Sequence, residues 1–187
     1  RESMKLIEIT EGKYNVTIEL EYAKNTNFTG KKIYTKSICY IHEDALPKLL
    51  SAISLAKALG YKLKIYDAFR PKEAQELLWD FCSNKDFITP PHIGSPHSRG
   101  IAIDLTLIKN DKIIDMGTKF DHLYKESYHG NTDISVTAQK NRIILLGIMT
   151  SAGWYFYQNE WWHYQLHNSK EWPLISAKEA QKNIMAK

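Results

Sequence analysis

The chain has 187 residues, of which 43% are hydrophobic and 25% charged, and its formal net charge at pH 7 is +4. This is ordinary globular composition with enough apolar residues for a sizeable core, and it excludes a disordered chain. Lysine and arginine are scattered along the chain without a basic run, which argues against nucleic-acid binding. We expect a single domain over residues 1–187, with no internal repeat or linker.

Alternating apolar and polar side chains predict strands, and apolar residues at helical spacing predict helices. In chain order these patterns predict strand 14–22, helix 42–60, strand 61–67, a helix from Pro71, strand 101–107 with its hairpin return 113–116, helix 135–152, strands 154–157 and 161–166, and helix 176–186. Residues 84–96 contain three prolines and one glycine, which is typical of a surface loop. The order indicates an α+β fold in which helices flank a central antiparallel sheet.

Membrane and redox signals are weak in this sequence. No apolar run approaches the roughly eighteen residues of a transmembrane helix, and the start Arg1-Glu2-Ser3-Met4-Lys5 lacks a signal-peptide core. We expect no membrane span and a cytoplasmic chain; a signal peptide removed before Arg1 would make it periplasmic. Cys39 and Cys82 are too few for a disulfide framework, so we expect buried free thiols. The pattern specifies no oligomeric state.

Two polar stretches interrupt the apolar pattern, SPHSRGIAID and, about sixty residues later, EWWH. They supply the imidazoles of His97 and His163 and the carboxylate of Asp104. Three such ligands leave one coordination position of zinc open for water, as hydrolytic zinc requires. Glu160 is then the candidate general base beside that water. The spacing therefore indicates a zinc site that carries its own base.

The seven-residue step from His97 to Asp104 constrains the local backbone. In a regular strand these side chains would point to opposite faces, roughly 23 Å apart along the chain at about 3.3 Å per residue. They can share an ion only if the backbone turns between them, and Gly100 allows an unusual φ at little steric cost. Asp104 lies in the apolar strand 101–107, where a lone carboxylate is costly unless it is paired or binds a metal.

The sequence resembles the D-alanyl-D-alanine dipeptidases of the VanX type, in the zinc D-Ala-D-Ala peptidase group of the LAS superfamily (peptidase family M15). The resemblance extends over roughly residues 14–166. Its blocks are Tyr22 with Asn27-Phe28-Thr29-Gly30, Tyr66-Asp67-Ala68-Phe69-Arg70-Pro71, SxHxxGxAxD, Asp115-Met116-Gly117-Thr118 with Phe120-Asp121, and ExWWH. SxHxxGxAxD alone marks the superfamily, whereas the other blocks point to the dipeptidase branch.

The resemblance implies zinc-dependent hydrolysis of the dipeptide D-Ala-D-Ala to two D-alanines. It assigns His97, Asp104 and His163 as ligands of one Zn²⁺ ion per chain. It also makes Glu160 the base that activates the zinc-bound water and Arg70 the group that stabilises the oxyanion. An arginine suits that role because its guanidinium is always cationic and forked.

The resemblance also implies how the small dipeptide substrate is bound. Asp121 is the candidate partner of the free amino group, assisted by Tyr22 and Ser95. A carboxylate there favours a free N-terminus over an acylated one. Pro96 departs from the small polar residue more common in relatives, and it restricts Ser95 to extended conformations.

Other readings stay open at this point. The chain could be a D,D- or L,D-carboxypeptidase of peptidoglycan stems from the same superfamily, or a non-catalytic zinc-binding module. Taken singly, Arg70 could form a structural ion pair and Asp121 could cap a loop. The histidines outside the motifs are expected at the surface; they are His42, His92, His122, His129 and His167.

Overall fold

The structure is a computed structural model that describes residues 5–187, so the expectation about a leader at residues 1–4 lies outside the described residues. The helices are Glu11–Tyr14 (α1), Leu46–Ala58 (α2), Lys72–Phe81 (α3) and Val136–Ser151 (α4). The strands are Leu6–Ile9 (β1), Thr17–Ile18 (β2), Cys39–His42 (β3), Lys62–Asp67 (β4), Ala102–Lys109 (β5), Lys112–Ile113 (β6), Tyr155–Tyr157 (β7) and Glu160–Gln165 (β8).

A six-stranded sheet organises the molecule, with the order β2-β4-β5-β8-β7 and with β6 forming a hairpin on β5. β1 and β3 form a separate two-stranded antiparallel sheet. The α+β prediction is confirmed. The main sheet is mixed rather than wholly antiparallel, because β2 runs parallel to β4. All the other strand pairs of this sheet are antiparallel.

Helices α2 and α4 pack against each other and against the sheet, α2 on β4 and α4 on β7 and β8. Their buried faces are apolar apart from one arginine of α4. The core is rich in large aromatic side chains; its largest fully buried members include Trp161, Trp162, Tyr22, Tyr34, Tyr40 and Tyr164. Cys39 and Cys82 are free and buried, as predicted. Within residues 5–187 we find no helix with the length and hydropathy to cross a membrane.

Several predicted boundaries at the start of the chain are wrong. The predicted strand 14–22 is reduced to β2, because α1 ends at Tyr14 with Asn15 in the left-handed region at φ 53°. The predicted helix 42–60 begins only at Leu46, since His42 is the last residue of β3 and pairs with Leu6.

The predicted C-terminal helix 176–186 is also wrong. A single 3₁₀ turn, Ala177–Glu179, replaces it, and a capping box between Ser176 and Glu179 closes that turn. The backbone beyond forms a local turn at Asn183, and several of its groups bond to distant parts of the chain. The Ile184 carbonyl accepts the Thr35 N–H at 2.7 Å, and the Lys182 N–H donates to the Tyr40 hydroxyl at 3.1 Å. Tertiary hydrogen bonds thus satisfy groups that a helix would have paired.

Three of the five histidines predicted at the surface, including His122, are at least partly buried, and two of them, His42 and His129, pack against neighbouring elements. His42 is buried, and its Nδ1 accepts the backbone N–H of Asp44 at 3.0 Å. His129 is half-buried, with its ring against Phe156. The predictions for these two residues are wrong, because each ring packs against a neighbouring element. The fully exposed histidines are His92 and His167.

Candidate active site

His97 lies on a 3₁₀ turn, Pro96–Arg99, that leads into β5. Ser95 caps this turn, because its Oγ accepts the His97 N–H at 3.1 Å. Gly100 ends the turn at φ 74°, and a Cβ there would lie 3.1 Å from a methyl carbon of Leu6 and 3.2 Å from the His42 nitrogen. The predicted turn at Gly100 is therefore confirmed, and it brings the His97 ring back over the strand.

Asp104 and His163 meet through sheet register. Asp104 of β5 pairs directly with His163 of β8 and, on its other side, with Asp67 of β4. Directly opposed residues in an antiparallel pair project their side chains to the same face. The two motifs, distant in sequence, are thus joined by neighbouring strands.

The three predicted metal ligands form a compact, buried triangle. His97 Nε2 lies 3.1 Å from Asp104 Oδ1 and 3.2 Å from His163 Nδ1, and His163 Nδ1 lies 3.1 Å from Asp104 Oδ1. Three donors bound about 2.0–2.1 Å from one tetrahedral zinc ion would lie about 3.3–3.4 Å from one another. The arrangement therefore fits a zinc ion closely, and it can hold a metal without a large rearrangement.

Hydrogen bonds behind the triangle orient both imidazoles. His97 Nδ1 donates to the Ala68 carbonyl at 2.7 Å, which leaves Nε2 as the free donor atom for a metal. His163 Nε2 bonds to Gln165 Oε1 at 2.8 Å, which leaves Nδ1 free. Such partners fix the tautomer and ring orientation of metal-binding histidines. Both free nitrogens point towards Asp104.

The charge of Asp104 suits a cation site. Burial alone would raise the pKa of this carboxyl, but when no metal is bound and the imidazoles are protonated, the charge of His97 and the hydrogen bonds from both rings lower it below its ordinary value. Burial likewise opposes protonation of His163, whereas the Asp104 contact raises its pKa. Asp104 is therefore ionised under ordinary conditions, as a metal-binding carboxylate must be.

Glu160, the predicted base, is the first residue of β8 and lines the same cavity as His163. In a regular strand, residues three apart face opposite sides. The β7–β8 register is irregular here: Tyr157 pairs with Glu160 and the adjacent Phe156 pairs with Tyr164. The irregularity lets both side chains reach the cavity. Burial raises the pKa of Glu160 to about 8, His163 opposes that rise, and Asp104 adds to it.

Arg70 is buried beside the triangle and is held from several directions. Its Nε and one terminal nitrogen each lie 2.9 Å from Asp67 Oδ2, and the same terminal nitrogen lies 3.6 Å from Asp104 Oδ2. Its other terminal nitrogen donates to Gln75 Oε1 at 2.8 Å. Tyr34 donates in turn to Asp67 Oδ1 at 2.7 Å. These contacts fix the guanidinium in place and engage only some of its five N–H groups.

Asp121 and Tyr22 are brought together across 99 positions of sequence, with the Tyr22 hydroxyl bonded to Asp121 Oδ2. Desolvation raises the pKa of the Asp121 carboxyl to about 7, although the Tyr22 bond lowers it. The Tyr22 ring also lies 5.1 Å from the guanidinium carbon of Arg70. Both residues and Ser95 line the cavity that contains the triangle. All eight predicted site residues thus converge.

The shared cavity has a volume of about 260 Å³. Pockets for drug-sized ligands span about 300–1,000 Å³, so this one suits a smaller molecule. Its lining combines polar and apolar side chains; the apolar ones include Phe28, Leu78, Phe87, Ile88, Leu123 and Trp162. Sequence reasoning missed Gln75, Gln165 and the role of segment 86–90 in the wall. Gln75 carries a signal, because it is a polar residue beside the apolar stripe of α3.

Two imidazoles, a carboxylate, a buried glutamate and a fixed arginine around one small cavity define a metal-dependent hydrolase. Comparisons with known proteins identify the family. The model of peptidase family M15, described as D-ala-D-ala dipeptidase, matches residues 2–179. The chain therefore belongs to this family of metallopeptidases, and the predicted resemblance is confirmed.

Individual relatives agree with this assignment. The D-alanyl-D-alanine dipeptidase of Escherichia coli (strain K12) is 41% identical over 163 residues, which cover 87% of this chain and 84% of the relative. The D-alanyl-D-alanine dipeptidase of Enterococcus faecium is 33% identical over 177 residues, covering 83% of this chain and 88% of the relative. An enzyme from Enterococcus faecalis with the same name is 33% identical over 175 residues.

Proposed function

We propose that this chain hydrolyses the dipeptide D-Ala-D-Ala to two D-alanines and that it uses one zinc ion to do so. The observation that carries the proposal is the buried triangle of His97, Asp104 and His163, open to a cavity of about 260 Å³. Relatives named for this activity, matched over most of their length, support the substrate.

The donor set favours zinc over harder cations, because two imidazoles and one carboxylate are typical of catalytic zinc sites. When bound, zinc would supply a Lewis acid that polarises the peptide carbonyl and lowers the pKa of water towards about 7. The chain contributes the ligands, held by Ala68 and Gln165 behind the two imidazoles.

Glu160 acts as the general base and then as the general acid. It takes a proton from the attacking water and passes it to the nitrogen of the departing D-alanine, so the proton count balances. Burial, opposed by His163 and reinforced by Asp104, raises the pKa of Glu160 to about 8, so without a metal this carboxyl is mostly protonated at neutral pH. A cation held by the neighbouring triangle lowers that pKa and makes Glu160 a carboxylate that can accept a proton.

Arg70 stabilises the negative charge that develops on the carbonyl oxygen. Asp67 holds its guanidinium through two contacts, so little reorganisation is needed when that charge forms. In this enclosed cavity a fixed cation acts more strongly than it would in water. The position beside Asp104 places it next to the metal ligands.

Asp121 binds the free amino group of the dipeptide, and Tyr22 orients its carboxylate. An ammonium group beside Asp121 favours the ionised form of this buried carboxyl and lowers its pKa. An acylated amine carries no charge and leaves Asp121 unpaired, so longer peptides are disfavoured. Ser95 lines the same cavity, where its Oγ is already engaged as the cap of the 3₁₀ turn.

The test is a substrate panel with metal-stripped protein, assayed with and without added zinc. D-Ala-D-Ala should be cleaved only with zinc, whereas L-Ala-L-Ala and N-acetyl-D-Ala-D-Ala should be cleaved far more slowly. Efficient cleavage of the acetylated peptide would instead support the carboxypeptidase alternative. Absence of D-Ala-D-Ala cleavage by zinc-loaded protein would refute the proposal.

Two variants separate the assigned roles within this test. Glu160→Ala should keep zinc, measured as metal per chain, and lose turnover by several orders of magnitude. His97→Ala should lose zinc as well as turnover, because it removes a ligand. Near-normal turnover of Glu160→Ala would show that the base is assigned to the wrong residue.

A further inference from the structure

Gln75 is a buried amide in the wall of the cavity that the reaction steps above do not use. It lies near the start of α3 and is 2% exposed. A buried side-chain amide is costly unless its groups are hydrogen-bonded. Both ends of Gln75 are bonded: Oε1 accepts from Arg70 at 2.8 Å, and Nε2 donates to the Thr89 carbonyl at 2.9 Å. The side chain therefore bridges two parts of the site.

The first end completes the support of Arg70. Asp67 holds one edge of the guanidinium, through Nε and one terminal nitrogen, and Gln75 holds the other terminal nitrogen. Because the planar guanidinium of Arg70 is hydrogen-bonded at both edges, it cannot rotate within the site. The direction of its remaining N–H groups is thereby fixed towards the cavity that Arg70 lines.

The second end contacts the segment 86–90, all of whose residues line the cavity. The backbone N–H groups of Phe87 and Ile88 bond within the same loop, to the carbonyls of Asn84 and Lys85. The bond from Gln75 ties this segment to α3. The same amide therefore contacts both Arg70 and the cavity wall at Thr89.

We infer that Gln75 is a positioning residue: through Oε1 it orients Arg70 for the transition state, and through Nε2 it holds segment 86–90 against the bound dipeptide. The inference rests on the proposed function, since it assigns Arg70 the oxyanion. It predicts that the two ends affect different kinetic constants. Loss of the Arg70 contact lowers kcat, and loss of the Thr89 contact raises KM.

The experiment compares Gln75→Met, which removes both contacts, with Gln75→Glu, which keeps an acceptor for Arg70 but cannot donate to Thr89. With D-Ala-D-Ala and zinc, Gln75→Met should lose roughly tenfold to a hundredfold in kcat, as a small displacement of a catalytic group does. Gln75→Glu should recover most of that kcat while its KM stays raised. Equal kcat losses in the two variants would overturn the assignment of the Arg70 end.

A double-mutant cycle excludes a merely structural role. In the Arg70→Ala background, assayed at high enzyme concentration, Gln75→Met should change kcat by less than about twofold, because its target is absent. The full loss in that background would overturn the inference. Gln139→Met is the control, since Gln139 of α4 donates to the Ile134 carbonyl outside the cavity. Thermal unfolding of each variant checks that it is folded.

Wild-type activity separates the two proposals. A zinc-loaded wild type that leaves D-Ala-D-Ala intact overturns the proposed function and this inference with it. A wild type that hydrolyses the dipeptide, together with Gln75→Met of unchanged kcat, overturns the role of Gln75 alone.

Discussion

Asp121 combines a left-handed backbone, at φ 63°, with a carboxyl inside the cavity. Aspartate tolerates this region better than most residues, because its short side chain can bond locally. Here the side chain bonds instead to Tyr22, which comes from a distant part of the chain. A strained backbone and a desolvated carboxyl at one position are typical of a functional site.

Asp121→Asn tests the binding of the amino group. The amide keeps the shape and can still accept from Tyr22, but it removes the charge that pairs with an ammonium. We expect KM for D-Ala-D-Ala to rise about tenfold or more, equivalent to about 1.4 kcal/mol. The rate ratio between D-Ala-D-Ala and its N-acetyl derivative should fall. Asp115→Asn, a loop aspartate outside the catalytic cavity, is the control; an unchanged KM in Asp121→Asn would contradict the assignment.

At the scale of elements, the local sequence pattern predicts the strands, helices and turns that depend only on residues close together in the chain. The apolar alternation of 61–67 gave β4, and the need for a turn before Asp104 was evident from the spacing and Gly100. The irregular register at Glu160 was not predictable from the sequence. In a regular strand, side chains alternate between the two faces, so Glu160 and His163, three residues apart, would face opposite sides. The C-terminal segment shows the same limit, since its hydrogen bonds go to Thr35 and Tyr40.

The residues of the site divide in the same way, into those that the local sequence reveals and those whose role depends on distant contacts. Chemistry-bearing residues could be recognised from their type and order, because zinc and its base need particular donors. The partners of Gln75 could not, since its polar position beside the apolar stripe of α3 does not reveal that the fold brings Thr89 beside it. Gln165 differs, because it lies two residues after His163 on β8 and contacts it within the same strand.

Gly100→Ala tests the turn that joins the first motif to β5. A Cβ at φ 74° is strained and would contact Leu6 and the His42 backbone, so we expect a loss of about 1–3 kcal/mol in unfolding free energy. Gly147→Ala is the matched control: it lies in α4 with no atom near its added Cβ, and it should gain roughly 0.5–1 kcal/mol. Urea unfolding of both variants makes the comparison. Equal effects would show that the turn tolerates a side chain.

At the scale of the whole molecule, the cavity holds an excess of potential negative charge. Five carboxyl groups lie in it or directly behind it, those of Asp67, Asp86, Asp104, Asp121 and Glu160. Among the cavity-lining residues of the described chain, Arg70 is the one permanent cation. A bound metal ion offsets this imbalance, so metal binding and folding stability are linked.

This linkage predicts the pH dependence of the metal-free protein. Unfolded glutamate and aspartate have pKa values of about 4.3 and 3.9. In the folded chain the pKa of Glu160 is raised to about 8 and that of Asp121 to about 7. Between these limits these two carboxyl groups bind more protons in the folded state than in the unfolded state, so the stability that they contribute falls as pH rises from about 4 to 8.

The decline of folding stability with pH can be measured by urea unfolding at pH 5, 6, 7 and 8. The series is run once with a metal chelator and once with zinc. Each group contributes at most about 1.4 kcal/mol per pH unit, and zinc should flatten the decline because a cation favours both carboxylates. Glu160→Gln should flatten the metal-free decline as well, since the amide cannot ionise, whereas Glu76→Gln on the exposed face of α3 should not. If wild type and Glu160→Gln lose stability in parallel, the folded protein does not hold a proton on Glu160, and its carboxylate is already free to act as base without the metal.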